Sequence, residues 1–294
     1  MRVTHQTTTT YALQRLQSRL GQLQKSQEQL ASGTRIGKPS DDPAAMNKLL
    51  TLRSDEASAD QAARNASDGL QRTSIADSHL RTLIDRLHRA RELAIRAANT
   101  SAPSERNAIA TEIRTIGEEA AAIANGNSGG RGLFSGHSDG PAVQQVAGVW
   151  TYTGDGGQVR RRVGEGDVVT VNVTGDDVFG FAAGRDVFSV LDDLADRIVT
   201  ADAAGVQTSI AEVDTSMTNI LDGLAKLGAA TNRIEAGQIR TDDTRLAVQS
   251  EISKVESVDI AEAITDLQLH QVAFEATLGA LSRSLQPSLT QFLR

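Results

Sequence analysis

Cysteine is absent from this 294-residue chain, which excludes a disulfide framework and any thiolate metal site and leaves the redox compartment open. Aromatic residues make up only 3% of the sequence, so Ala, Leu, Ile and Val must supply nearly all the packing, as in extended helical bundles rather than compact enzyme cores. No apolar run approaches the roughly 18 residues of a membrane span. Residues 1 to 20 also lack the apolar core of a cleaved signal peptide, so an exported chain would leave the cell by another route. The formal net charge of −7, with both signs interspersed, argues against nucleic acid as a partner.

Two stretches with a seven-residue apolar rhythm stand out. Near the start it runs Leu13, Leu16, Leu20, Leu23 and Leu30, with Gln27 in one slot. Near the end it runs Ile260, Ile264, Leu267, Gln271, Phe274, Leu278, Leu281 and Leu285. Alternating steps of three and four keep one seam facing a neighbouring helix, the pattern of coiled coils. Such a stripe is also the inner face of an ordinary closed bundle. Burial of five leucines yields ~8–15 kcal/mol, whereas ordering thirty-odd residues costs ~1–2 kcal/mol apiece. The ends are therefore expected to order fully only when sister molecules surround them.

Charge separates along the chain. Residues 1 to 40 hold six basic side chains and one acid, Glu28, a net +5, and residues 251 to 294 hold three basic and six acidic side chains, a net −3. The ends should attract each other, with exposed pairs worth ~0–1 kcal/mol each choosing partner and register.

The order of elements reads helix, helix, helix, strands, helix, helix, helix. A polar lead, Thr7 to Thr10, precedes a helix over about Tyr11 to Ala31. The breaker-rich Ser32 to Ser40 ends it. Asp42 caps a second helix that starts at Pro43 and runs to about Asn99, some 55 residues and roughly 80 Å. A third helix begins near Pro103 and ends at Asn125-Gly126, with Gly126 in the left-handed position. Val149 to Tyr152 and Gln158 to Val163 read as a hairpin around Asp155-Gly156, and Gly164 to Gly166 turns into a further strand over Asp167 to Val173. Asp186 caps a short helix to about Thr200, and a long one follows from about Val206 to Glu256. The predicted fold is mainly α and elongated: a long antiparallel bundle or coiled coil formed by the N- and C-terminal segments, with a small β-rich unit inserted mid-chain. The predicted domains are a terminal coiled-coil assembly domain (1–40 and 256–294), a long helical bundle (41–132 and 186–255) and a β-rich outer domain (133–185).

Nothing in the sequence carries catalysis. Gly136-His137-Ser138-Asp139-Gly140 matches a nucleophile elbow in letters, but a glycine-rich loop precedes it and Pro141 follows, where the elbow needs a strand and a helix. The five histidines lack a second ligand at metal spacing. Asp41-Asp42 begins no EF-hand pattern, and the glycines from Gly126 to Gly136 form neither phosphate-binding motif. Arg160-Arg161-Arg162 reads as a solvated strand face.

The stretch Leu30-Ala31-Ser32-Gly33-Thr34-Arg35-Ile36, followed by Pro39-Ser40-Asp41-Asp42-Pro43-Ala44-Ala45, closely resembles the N-terminal signature of the flagellin-like axial proteins of the bacterial flagellum. Its Asp-Asp-Pro-Ala form looks like the hook-associated branch, whereas filament flagellins more often carry Asp-Asp-Ala-Ala-Gly. Gly132-Leu133-Phe134-Ser135-Gly136 resembles that branch's Leu-Phe-Ala-Gly element, with Ser135 replacing Ala. Tyr152 to Asp155, Val168 to Val173 and Gly175 to Phe179 look like its β segment. Asp259 to Ala263 and Ser288 to Leu293 resemble its C-terminus, with Pro287 as a departure that should kink or end the last helix.

The resemblance covers the whole chain. It implies a non-enzymatic adaptor joining hook to filament, without a cofactor, exported by the flagellar type III apparatus and residing in the extracellular flagellum. Implied partners are copies of itself, the other hook-associated junction protein, flagellin, and a cytoplasmic export chaperone at the C-terminal helix. Competing readings are a filament flagellin, an esterase acting through Ser138, and an intracellular coiled-coil scaffold.

Overall fold

A computed structural model of the chain describes residues 5–285, with side chains from residue 10 to residue 283. The elements run α1 (His5–Ser32), α2 (Pro43–Ala98), α3 (Pro103–Ala124), β1 (Asn127–Ser128), β2 (Arg131–Gly132), β3 (Val143–Val146), β4 (Val149–Tyr152), β5 (Arg160–Arg162), β6 (Val168–Thr170), α4 (Gly175–Val178), α5 (Val187–Val199), α6 (Ala203–Glu256) and α7 (Ile260–Leu285). The chain is mainly helical, with the β segments in mid-chain, as the sequence predicts. It divides into two compact units: Ala59–Thr244, and the remainder from both ends.

In the central unit α2 and α6 run antiparallel. Arg91 meets Asp214, the Leu80 side chain lies near Gly223, and Thr73 Oγ1 accepts from Thr231 Oγ1 at 3.2 Å. Leu80, Leu83, Leu87 and Leu93 from α2 are fully buried together with Ile113 from α3 and Leu191, Leu194 and Ile198 from α5. Leu80, Leu83 and Leu87, like Leu191, Leu194 and Ile198, keep the 3–4 spacing of a helix stripe that closes on its neighbours, and no leucine of this set is left in water. Asp186 caps α5, its carboxylate accepting from the Ser189 backbone N–H at 2.8 Å, as expected from sequence.

The scarce aromatics are concentrated. Phe134, Phe179 and Phe188 are fully buried, with Phe134–Phe179 and Phe179–Phe188 ring centroids at 5.3 and 5.6 Å. Trp150 packs on Phe188 at 5.2 Å and donates its indole N–H to Asp192 at 2.8 Å, tying β4 to α5.

The strand pairing departs from the expected hairpin. Val149 to Tyr152 pairs with Val143–Val146, and Arg160–Arg162 pairs with Val168–Thr170 through the Gly164 to Gly166 turn. The β3–β4 turn is Ala147-Gly148, both with positive φ (52° and 84°), and alanine gives no turn signal in a sequence. Asp155 serves a different purpose: its carboxylate accepts the His137 and Gly157 N–H groups at 2.6 and 3.1 Å and pins the intervening loop.

The β5–β6 hairpin lies on α2 and α6, burying Val163, Val169 and Val171 against Ala66 and Ile234. Thr241 Oγ1 donates to the Val163 carbonyl at 3.0 Å, and Arg161 turns inward to meet Asp68 at 2.6 Å, so the arginine triplet is only partly a solvated face. Close approach at this contact requires Gly237, where a Cβ would sit 2.8 Å from Val163 Cγ2.

Two further local expectations fail. Thr7 to Thr10 are helical, inside α1, rather than an irregular lead. Gly126 does not adopt positive φ; Asn125 ends α3 at φ −87°, and what Gly126 supplies is room for the His79 ring, which a Cβ would strike.

Candidate assembly surface at the terminal helices

In the unit built from both ends, α1 packs against α7. The signature residues form the joint beside this pair. Gly33, with φ 70°, caps α1 through its N–H to the Gln29 carbonyl at 2.9 Å. Ser32 Oγ and Thr34 Oγ1 lie 2.8 Å apart. The next residues pair with the α6–α7 connection: the Arg35 N–H donates to the Glu256 carbonyl at 2.7 Å, and the Val258 N–H donates to the Gly33 carbonyl at 3.1 Å. Thr34 and Ser257 thus form an isolated antiparallel bridge. Arg35 adds a guanidinium bond to the Val255 carbonyl at 3.2 Å, and Ile36 is buried.

Both aspartates of the signature cap backbone. Asp42 Oδ1 accepts the Ala45 N–H at 3.0 Å and opens α2 directly before Pro43, as the sequence predicts. Asp41 Oδ2 accepts the Gly37 and Lys38 N–H groups at 3.2 and 3.0 Å, holding Gly37 to Asp41, with Pro39 and Ser40 exposed at the bend. The Lys25 ammonium, 2.8 Å from Asp41 Oδ1, and then the Lys38 N–H hold the Asp41 carboxyl below its ordinary value. An open, polar cleft of about 290 Å³ lies between α1 and this loop, lined by Lys25, Gln29, Ser32, Lys38 and Asp41 among others.

The heptad residues divide by exposure. Leu16, Leu23 and Leu30 on α1 and Leu267, Phe274 and Leu281 on α7 are half-buried. Leu13, Leu20, Ile260, Ile264 and Leu278 remain 40–62% exposed. Leu285 belongs to α7, but its side chain, Pro287 and the Ser288 to Leu293 match lie outside the described residues.

The expected attraction between the ends is not what the ion pairs show. Lys25, Lys38 and Arg35 pair with Asp41, Glu28 and Asp42 inside the N-terminal segment, while Glu251 and Glu256 take Lys48 and Arg53 of α2. Lys25, Lys38 and Arg35 find carboxylates nearby in sequence at a small loop-closure cost, whereas Glu251 and Glu256 meet cations that the long-range α2–α6 contact brings to them.

Sequence reasoning missed two exposed residues of α7, Leu269 and Val272, which fall outside the heptad register. It also missed Ser257 and Val258, whose backbone role leaves no side-chain signal. Ser138, at the letter-match to an elbow, sits in a turn where its carbonyl accepts from Ser135 Oγ at 2.9 Å and its own Oγ accepts from the Gly140 N–H at 3.4 Å. Among the described residues no three histidine, aspartate or glutamate side chains converge on a metal-sized site, and no helix is long and apolar enough to cross a membrane.

The signature thus folds into a backbone joint beside two paired terminal helices that leave apolar residues exposed, the build of a structural helical protein. The bacterial flagellin N-terminal helical region matches residues 3–139 and the C-terminal helical region matches residues 210–293. The chain belongs to the flagellin family and is a structural, non-enzymatic component of the flagellum.

Among its relatives, flagellar hook-associated protein 3 of Escherichia coli is 26% identical over 289 residues, covering 90% of both chains. A flagellin of Bacillus subtilis is 25% identical over 308 residues, covering all of both. A flagellar hook-associated protein structure from Vibrio parahaemolyticus shares the fold at a TM-score of 0.70 and 23% identity, covering 74% of this chain and all of that one.

Proposed function

We propose that the chain is the adaptor between hook and filament, polymerising through α1 and α7 as the inner part of a ring or helical layer. The carrying observation is that Leu13, Leu20, Ile260, Ile264 and Leu278 of the terminal heptads stay 40–62% exposed in the single chain, while the core leucines of the central unit, Leu80, Leu83, Leu87, Leu93, Leu191 and Leu194, are fully buried. Surfaces of that kind mark interaction sites. The junction role is supported by the match to the Escherichia coli hook-associated protein and by the Asp42-Pro43-Ala44 form of the signature. In this reading residues 1–40 and 256–294 form the assembly domain, the long helices form the next shell, and residues 133–185 face outward. Its partners are the other hook-associated junction protein, flagellin, and an export chaperone that holds α7 before secretion.

Deleting the gene tests the reading: complete hooks without filaments, and flagellin shed into the medium, are expected, and normal filaments would refute it. Leu16→Asp and Leu278→Asp should each abolish incorporation with the central unit intact. A second reading, filament subunit, is favoured by the full-length match to the Bacillus subtilis flagellin. Labelling separates the two, since a junction protein marks a thin zone at the filament base and a filament subunit marks the whole length.

A further inference from the structure

Assembly through α1 and α7 makes no use of the β5 arginine triplet, which belongs to a larger basic cluster. Side chains alternate along β5: Arg161 turns toward the helices, while Arg160 and Arg162 are exposed on the outer face with their cross-strand partners Thr170 and Val168. The Arg162 carbonyl accepts from Asn65 Nδ2 at 3.0 Å, and Arg161 meets Asp68 at 2.6 Å. One turn further along α2, Arg72 donates to the Gly132 and Leu133 carbonyls at 2.7 and 3.2 Å. Asn65, Asp68 and Arg72 share one face of α2, so β5 and then β2 lie along about 10 Å of that helix. Arg64 and Arg131, both exposed, stand at the two ends of this contact.

Six arginines therefore converge where Asp68 is the one carboxylate ion-paired to them among the described residues, in a chain whose net charge is −7. Arg64 and Arg160 donate to the amide oxygens of Gln61 and Gln158, each at 2.9 Å. Arg131 and Arg162 reach no carboxylate among the described residues. Arg72 is 7% exposed and its Nε has no partner among the described residues. Burial, and then the charges of Arg161 and Arg131, hold its guanidinium below its ordinary value. A buried cation flanked by two others is costly, and an anion at the surface beside them offsets part of that cost. Farther along α2 the charges are matched, since Arg81, Arg86, Arg89 and Arg91 each meet a carboxylate. The basic strip ends at the hairpin turn, where Glu165 is exposed and Asp167 is taken by Arg233 and Arg240.

We propose that this strip binds an acidic polysaccharide, with Arg160 and Arg162 seating its sulfate or carboxylate groups and Arg64 and Arg131 extending the track at either end. Planar guanidinium forks take such oxyanions through paired N–H donors. The flagellum is extracellular, where polymers of this kind coat the surfaces it meets. Nucleic-acid bases need aromatic stacking platforms, and between its arginines the outer face of β5–β6 offers only Val168 and Thr170. Binding of this kind goes beyond the junction role. It is a property of the single chain, so it stands or falls apart from assembly through α1 and α7.

Heparin is the probe, added to the full-length chain kept dilute enough that light scattering shows no association. Calorimetry should detect binding despite the net negative charge, with log Kd linear in log salt concentration. Arg160→Ala/Arg162→Ala should weaken binding about tenfold and lower that slope by about two, with the thermal midpoint unchanged. Arg131→Ala, outside β5, should weaken binding on its own, which keeps the test decisive should the double variant lose its hairpin. Arg15→Ala/Arg19→Ala removes two exposed arginines of α1 and should leave the affinity as it was. No binding by the parent, unchanged affinity in the strip variants, or an equal loss in the α1 variant would overturn the proposal. Duplex DNA or polyaspartate binding as tightly as heparin at equal charge would overturn it as well, assigning the strip to nucleic acid or to an acidic protein surface.

Discussion

Removing apolar side chains should separate the two units by their response. Leu83 is fully buried in the central unit, so Leu83→Ala should cost that unit about 2–5 kcal/mol. Leu13 and Leu20 are 47% and 40% exposed. Full burial of such a side chain is worth ~1.5–3 kcal/mol, so nearly half of that remains to be gained, ~0.6–1.4 kcal/mol per residue, when a second copy covers it. Over the five exposed seam residues this amounts to ~3–7 kcal/mol per subunit, a contribution that favours association. The double change Leu13→Ala/Leu20→Ala should accordingly raise the concentration needed for association about tenfold. The lone tryptophan, Trp150, lies in the central unit and reports its urea unfolding by fluorescence, while light scattering reports association. Leu83→Ala should shift the fluorescence midpoint strongly and Leu13→Ala/Leu20→Ala should leave it in place. A midpoint shifted equally by both, or an unchanged association threshold in the double variant, would refute the reasoning.

Hydrogen exchange on the dilute chain should show amides of α1 and α7 exchanging much faster than those of α2 and α6 within the central unit; equal protection would contradict the assembly reading. Asp42→Ala removes the α2 cap and should cost ~0.5–2 kcal/mol, read as fraying of the first turn by exchange at Ala45. In α6, Gly228→Ala meets nothing within 4 Å and should stabilise by roughly 0.5–1 kcal/mol. Gly237→Ala in the same helix should instead destabilise by ~1–3 kcal/mol, because its Cβ lands on Val163; thermal melts compare the two. Burial pushes the Asp192 carboxyl above its ordinary value, against the Trp150 N–H that lowers it. The folded state thus binds the proton more tightly than the unfolded one, and stability declines as pH rises from the ordinary aspartate value to the raised one, then levels off. Asp192→Asn keeps an acceptor for Trp150 and should abolish that decline, as followed by Trp150 emission across acid titration.

Helix boundaries were legible in the sequence wherever a cap or breaker marks them. Asp42-Pro43, Asp186 and the Gly33 break each act through bonds to nearby backbone, so a local reading suffices for them. The heptads likewise marked both terminal helices as pairing helices, and α1 and α7 do pack on each other, since seven-residue spacing is a property of the chain itself. Strand pairing was not legible: Val149 to Tyr152 could take either neighbouring segment, and the choice fell to Ala147-Gly148 and to the packing of Trp150 on Phe188. Nor could the sequence show that Lys25, Arg35 and Lys38 are taken by carboxylates of their own segment, and Glu251 and Glu256 by Lys48 and Arg53 of α2. Which apolar face stays in water is decided by where α1 comes to rest on α7, a matter of long-range packing that periodicity cannot encode, and it is this placement that leaves Leu269 and Val272 uncovered.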